Sequence, residues 1–480
     1  MCSETPRGSR RNESAFPINP SLYSAVLGVK ASIAQQFKTE GADPNSEAFL
    51  TRFPFVFVEE INGEGPTADP IRESLVKAAF SEEFRSRTQE VIDTFYANWS
   101  GGTPEYYFLN LINDFLNYAL PRSLGLPDED TVFEDLYRQF EADLFTDSYT
   151  LHVIALLKNA YDHGGHFRPT SGLSFFWADS NPRFVLNSSR LRNRAVPFLE
   201  IKKSAHPSFG GMDISTSHSF FVLAFEETRK KKKRDGLAEA HRRSEEITKK
   251  TVLALRLLTA APVYAEYRGF RALGHFSGGS SGMALRNYPG ERIDRGFGSD
   301  AQSWGHGLER LFPPLLAAPM DSIAVVYDKI DDACRRQQQR GAPFDGVATK
   351  PAIDQLLDYF QALEAIIPIE GSYQIALYAA VLLRAAHRGL GLKAGEVFDF
   401  IKDMHTLRNE VVHGRIDKVL LGRANTTYKI ADIGRFRQYV HELAILYLLN
   451  PDQKGKLDLR KAAHRLAVGE DVNLRTLYTP

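Results

Sequence analysis

From Pro351 onward, apolar residues return every three or four positions, and this pattern predicts four helices. Ala352 to Ile367 is amphipathic. Ser372 to Arg388 is apolar nearly all round, as expected of a buried central helix. Ala394 to His413 is a third. Gly434 to Leu449 is the fourth, with Phe436, Tyr439, Val440, Leu443, Ala444 and Tyr447 at helical spacing. Four such segments with mostly modest connections imply a helical bundle. The front of the chain is also mainly helical, from Pro20 to about Phe145. Leu75 to Phe95 is rich in helix formers, and Tyr106 to Ala119 is apolar at helical spacing. Phe53 to Val58 is a short aromatic and β-branched run that fits either a strand or a buried helix.

Between these regions the pattern is mixed. Leu151 to Tyr161 reads as helix, and Gly, Pro, Ser and Asn then become frequent. Leu173 to Trp177, Ala195 to Ile201 and Ser219 to Phe225 read as strands. Leu237 to Thr259 reads as helix, and Val263 to Tyr267 as a further strand. The expected fold class is therefore a multidomain α+β chain. A disordered tail covers 1–18 and a mainly helical region 19–148. A mixed α/β domain covers 149–310, an all-α bundle 311–455 with its core at 350–450, and a C-terminal tail 456–480.

Composition narrows the class. The chain has 480 residues, 43% hydrophobic and 25% charged, the balance of a soluble globular protein. Lys plus Arg and Asp plus Glu are 59 each, so nucleic-acid affinity needs a local basic patch. The strongest such patch is Arg229, Lys230, Lys231, Lys232, Lys233 and Arg234. It suits RNA backbone contacts, although a solvated loop beside the acids Glu239, Glu245 and Glu246 accounts for it as well. Two cysteines, Cys2 and Cys334, fit a reducing cytosol and argue against a structural disulfide. No signal peptide and no apolar run of roughly 18 residues is present, so a cytoplasmic location without a membrane span is expected. Asp162-His163-Gly164-Gly165-His166 offers too few ligands for a convincing metal site, and no metal or cofactor is expected. Ser277 to Gly282 lacks the Lys-Ser/Thr ending of a phosphate loop and reads as a connection. Tyr106, Tyr107 and Phe108 read as core.

The third bundle helix carries the chemistry. Val397, Ile401, Met404 and Val411 form an apolar stripe, and Arg408 is the next position after Met404 on that count. A guanidinium there must be paired, for example with Glu364 or Glu370, or must face a cleft. Glu364 is itself expected to be solvated. Asn409 and His413 are four apart and share a face. Gly414 suits a helix C-terminus, where the helix dipole attracts positive charge. Histidine can move the proton of a ribose 2′-hydroxyl, and arginine can offset charge on a phosphate. A small amide such as Asn409 can orient either group. Arg408 and His413 point about 140° apart on an ideal helix. The helix end must distort, or a second copy must supply one group across an isologous interface.

Arg408-Asn409-Glu410-Val411-Val412-His413 resembles the hallmark of the HEPN superfamily: Arg, a polar residue, a short spacer and His near the end of a bundle helix. The surroundings resemble the Apea-like branch, through YFQALEAI at Tyr359 to Ile366, SYQIALYAAVLLRAA, FIKDMHTLRNEVVHG and RFRQYVHELAILYLL. The likeness covers about 350–450, with a looser echo in ALRLLTAAPVY at Ala254 to Tyr264. It implies a metal-independent endoribonuclease, active as a homodimer, that cleaves RNA by 2′-hydroxyl attack with Arg408, Asn409 and His413 as catalytic residues. It further implies a role in prokaryotic antiviral defence or as a toxin. The first 330 or so residues would then sense a phage trigger or a regulatory protein. Two alternatives stand beside it: a non-catalytic binding and dimerisation scaffold, and a toxin component silenced by a partner.

Overall fold

The structure is a computed structural model. It describes residues 19–39, 68–95, 103–124, 127–145, 147–158, 167–170, 173–178, 220–230, 236–259, 263–271, 280–281, 301–339, 350–369, 371–387, 392–451 and 458–477. The expected tail at 1–18, the run Phe53 to Val58, the expected strand Ala195 to Ile201, the Asp162 to His166 segment and Glu370 lie outside these residues. The described chain is mostly helical with one small antiparallel sheet.

Five helices open it: α1 (Pro20–Thr39), α2 (Ala68–Ala79), α3 (Arg85–Phe95), α4 (Pro104–Ser123) and α5 (Glu129–Phe145). Asn19 caps α1, its Oδ1 accepting from the Ser21 and Leu22 N–H groups at 3.1 and 3.0 Å. The Asn19 N–H in turn donates to the Glu141 carboxylate, so the start of α1 is tied to α5. Tyr107 and Phe108 are buried as expected, whereas Tyr106 is exposed.

The sheet runs β2-β3-β4-β1-β5-β6, with β1 (Ser148–Lys158), β2 (Phe167–Thr170), β3 (Leu173–Ala178), β4 (Phe220–Lys230), β5 (Tyr264–Arg271) and β6 (Ser280–Ser281). β1 corrects the expectation of a helix from Leu151. Tyr149, Leu151, Val153, Ala155 and Leu157 are all buried, a period of two rather than 3.6. Its backbone pairs antiparallel with β4 on one side and β5 on the other. A register shift at Leu156/Leu157 keeps Ala265 opposite Leu157 while Phe270 sits opposite Val153. The expected loop at Ser277 to Gly282 contributes Ser280 and Ser281 to the sheet edge.

α6 (Gly236–Thr259) joins the sheet to the helices that follow, α7 (Ala301–Ala317) and α8 (Met320–Gln339). The expected boundary near 310 falls inside α7. α7 contains Pro313 and Pro314, and its end is held by the buried Lys250 of α6. Lys250 Nζ donates to the Leu316 and Ala318 carbonyls at 2.9 and 2.6 Å and pairs with Glu246 at 2.5 Å. Those carbonyls would otherwise be left without helical donors. Gly307 allows the close approach, since a Cβ there would meet Leu258 Cδ2 at 2.7 Å.

The bundle follows as α9 (Lys350–Ile366), α10 (Ser372–Ala386), α11 (Ala394–Val412), the short α12 (Ile416–Leu420) and α13 (Ile433–Leu449). All four expected helices are present within a few residues. The expected C-terminal tail instead includes α14 (Arg460–Ala467), which packs on α10 with Leu459 and Ala463 buried. Beyond it, Asn450 exchanges hydrogen bonds with the Arg475 backbone, and Arg310 Nη1 donates to the Leu477 carbonyl. One continuous buried cluster links front helices, sheet and bundle.

Candidate functional site

α11 buries Val397, Phe400, Ile401, Met404, Leu407 and Val411. Leu407, not Arg408, continues the stripe after Met404. The difference is one step of about 100° on the helix. It moves Arg408 to the margin of the core, where its side chain is 29% exposed. Glu364 on α9 is not merely solvated: its Oε1 lies 3.4 Å from Arg408 Nη2. That distance is at the loose end for a charge-assisted hydrogen bond.

Arg408 Nη1 also donates to Asn409 Oδ1 at 3.2 Å. Asn409 Nδ2 lies 3.1 Å from Nδ1 of His405, one turn earlier on the same face. The His405 ring is half-buried and packs edge-on against Phe360 of α9, with centroids 5.6 Å apart. Burial, and then the positive charge of Arg408, lower its pKa below the usual histidine value. Glu364, Arg408, Asn409 and His405 therefore form one connected polar row over α9 and α11.

His413 ends the helix in an ordered way. It is the C-cap, and its N–H donates to the Asn409 carbonyl at 3.0 Å. Gly414 at φ 77° donates to Val411 O, and Arg415 N–H reaches Glu410 O at 2.8 Å. This is the paired bonding of a Schellman motif, and its left-handed residue is the glycine. The helix therefore stays regular up to His413, and the divergence of Arg408 and His413 persists within one chain. The His413 side chain is exposed and has no hydrogen-bond partner among the described residues. Val412, Ile416 and Leu421 are exposed apolar residues beside it in sequence. Glu410 pairs with Arg415 and Lys418, which ties α12 back to the helix end.

The basic run is only partly described. Arg229, next to last in β4, contacts Glu227 at 3.3 Å and Glu239 at 3.2 Å, and Lys230 is exposed. Lys231, Lys232, Lys233 and Arg234 lie outside the described residues. The run is remote in sequence from Arg408, and none of its described members contacts the Arg408 row. Cys334 is a buried free thiol. Among the described residues, no three His, Cys, Asp or Glu side chains gather as a metal site, and no helix is long and apolar enough to cross a membrane.

Sequence reasoning missed His405, although its position four residues before Asn409 was available. Nothing in the sequence marked it as polar-facing. Comparison with protein families, curated proteins and solved structures finds no match to this chain.

Proposed function

We propose that this protein is a HEPN-type endoribonuclease that cleaves RNA by attack of the ribose 2′-hydroxyl, with Arg408, Asn409 and His413 at its site. The observation that carries the reading is the solvent-open end of α11, where a partly exposed Arg408 and an exposed His413, without a side-chain partner among the described residues, stand five residues apart. His413 takes the 2′-hydroxyl proton, and the 2′-oxygen attacks phosphorus. The bond to the 5′-oxygen breaks, and that oxygen takes a proton from water, while the proton held by His413 returns to solvent. The products are a 2′,3′-cyclic phosphate and a 5′-hydroxyl. Arg408 offsets the charge that builds on the phosphate.

The regular helix end favours a site shared between two copies, in which Arg408 of one chain meets His413 of the other. Exposed Val412, Ile416 and Leu421 supply apolar surface for such a contact. Antiviral or toxin action, with the front helices and sheet as the sensing part, follows from the resemblance. The contact of Arg408 with Glu364 favours a second reading, in which the bundle only dimerises or is held silent by a partner.

The test uses purified full-length protein and a mixed RNA pool in EDTA. The nuclease reading expects cleavage with cyclic-phosphate ends, lost in both Arg408→Ala and His413→Ala. Intact RNA with the parent selects the scaffold, and cleavage by His413→Ala equal to the parent's overturns this site.

A further inference from the structure

The Asn409 amide stands between two neighbours with opposite demands. Its Oδ1 faces Arg408 Nη1 at 3.2 Å, and its Nδ2 faces His405 Nδ1 at 3.1 Å. A guanidinium only donates, so the amide oxygen must be the atom turned towards Arg408. The amide nitrogen also only donates, so Nδ1 of His405 must be the lone-pair nitrogen, with the proton on Nε2. One charged group thereby fixes an amide orientation, and the amide fixes a histidine tautomer.

We propose that His405 is a positioning residue of the Arg408 site, whose neutral Nδ1 holds the Asn409 carboxamide with its oxygen turned to the guanidinium. The catalytic consequence rests on the nuclease reading; the orientation rests on the geometry alone. The surroundings suit a neutral ring. Phe360 of α9 presents an apolar face to it, and Phe360 is itself packed at 4.6 Å on Phe436 of α13. The charged groups at the row are Arg408 on the same helix and Glu364 on α9, which is engaged with Arg408. Burial and the Arg408 charge both oppose a proton on His405.

Protonation would invert the set. Nδ1–H becomes a donor, and the Asn409 amide must turn its oxygen to His405. The NH2 group then faces a cation that has nothing to accept with, and Arg408 retains only Glu364. Acid thus releases the guanidinium from the position that Asn409 gives it, by a route that does not involve His413.

The test begins with ring spectra of 15N-histidine-labelled full-length protein between about pH 5 and about pH 8, the range in which histidines titrate. The His405 signals are assigned by their loss in His405→Asn. The expected result is the Nε2–H tautomer, with a midpoint below the ordinary value of about 6.5. In Asn409→Ala the tautomer should relax towards a mixture. An Nδ1–H tautomer, or spectra unchanged by Asn409→Ala, overturns the proposal.

RNA cleavage supplies the second arm. His405→Asn keeps an acceptor near the place of Nδ1, and should retain the parental rate with a flattened acid limb. His405→Leu should lower kcat by roughly twofold to tenfold, the worth of one hydrogen bond between neutral groups, with KM little changed. Parental kcat and an unaltered pH profile in His405→Leu overturn the proposal. If the parent cleaves no RNA, the nuclease reading fails, and the spectra alone decide the role of His405.

Discussion

Arg256 and Arg408 each meet a carboxylate on a neighbouring helix, and they do so in opposite ways. Arg256 of α6 is 1% exposed, with Nη1 at 2.5 Å from Asp331 Oδ1 on α8 and Nε at 2.6 Å from the Val263 carbonyl. Arg408 of α11 is 29% exposed, and its carboxylate partner is 3.4 Å away. The first guanidinium is enclosed by the fold and joins α6 to the residue before β5 and to α8. The second is steadied by Asn409 and Glu364 but keeps one side open to solvent. Desolvation makes the first pair a structural commitment, because removing one partner strands a buried charge. Solvent screening makes the second weak as a source of stability. An arginine at the edge of an apolar stripe is thus identified as structural or available by its depth and by its contact distance.

Activity gives the largest expected effect. Under the proposed nuclease function, His413→Ala should reduce RNA cleavage by about 10²- to 10⁴-fold, the usual worth of a general acid or base, with the melting temperature unchanged. A fall in melting temperature that matched the lost activity would show that His413 belongs with Arg256 as a structural group.

Arg256→Ala comes next, with an expected destabilisation of about 3–5 kcal/mol, read as a lower first thermal transition. A loss below about 1 kcal/mol would place Arg256 among surface pairs and erase the contrast.

Acid sharpens it further. His441 is buried on α13 with neither ring nitrogen hydrogen-bonded among the described residues, and burial, with Arg437 and then Arg256 adding to it, pushes its pKa down to about 3. A histidine whose folded pKa is depressed takes up fewer protons folded than unfolded. Its stabilising share is complete above the unfolded value of about 6.5 and declines as pH falls towards the folded value. His405 acts in the same direction over a shallower range. Thermal melts should therefore fall below about pH 6.5, and His441→Leu should flatten that fall while leaving stability near pH 7 within about 1 kcal/mol. An unaltered acid limb in His441→Leu assigns the loss to other groups.

The smallest effect is Arg408→Ala, which should change stability by no more than about 1 kcal/mol. A loss near that of Arg256→Ala would mean that the Glu364 contact is structural, and would favour the scaffold.

The bundle helices were legible because each is long enough for a period of 3.6 to stand out from chance. The segment at Leu151 was not. Its run LHVIALLK is apolar at both helical and alternate positions, so local periodicity cannot separate the two. Pairing with β4 and β5 decides it, and both are distant in sequence. α14 escaped notice because RKAAHRLA is short and only weakly apolar; its single buried alanine matters once α10 lies beneath it. At the candidate site, Arg408, Asn409 and His413 could be read from spacing within one helix. Glu364 could only be named among possible partners, since its distance from Arg408 depends on how α9 and α11 pack.

The sequence by itself determined the helical bundle, the glycine that ends α11 and the residue types that crowd that end. These are local properties, set by side-chain periodicity and by the φ that glycine tolerates. The tertiary structure decided which turn of α11 faces α9. It thereby placed Leu407 in the core and Arg408 at its margin, brought Glu364 to one side of the guanidinium, and set His405 behind Asn409 against Phe360. Packing between helices far apart in sequence fixes those relations, and a difference of about 100° in helix rotation is enough to turn a buried charge into an available one.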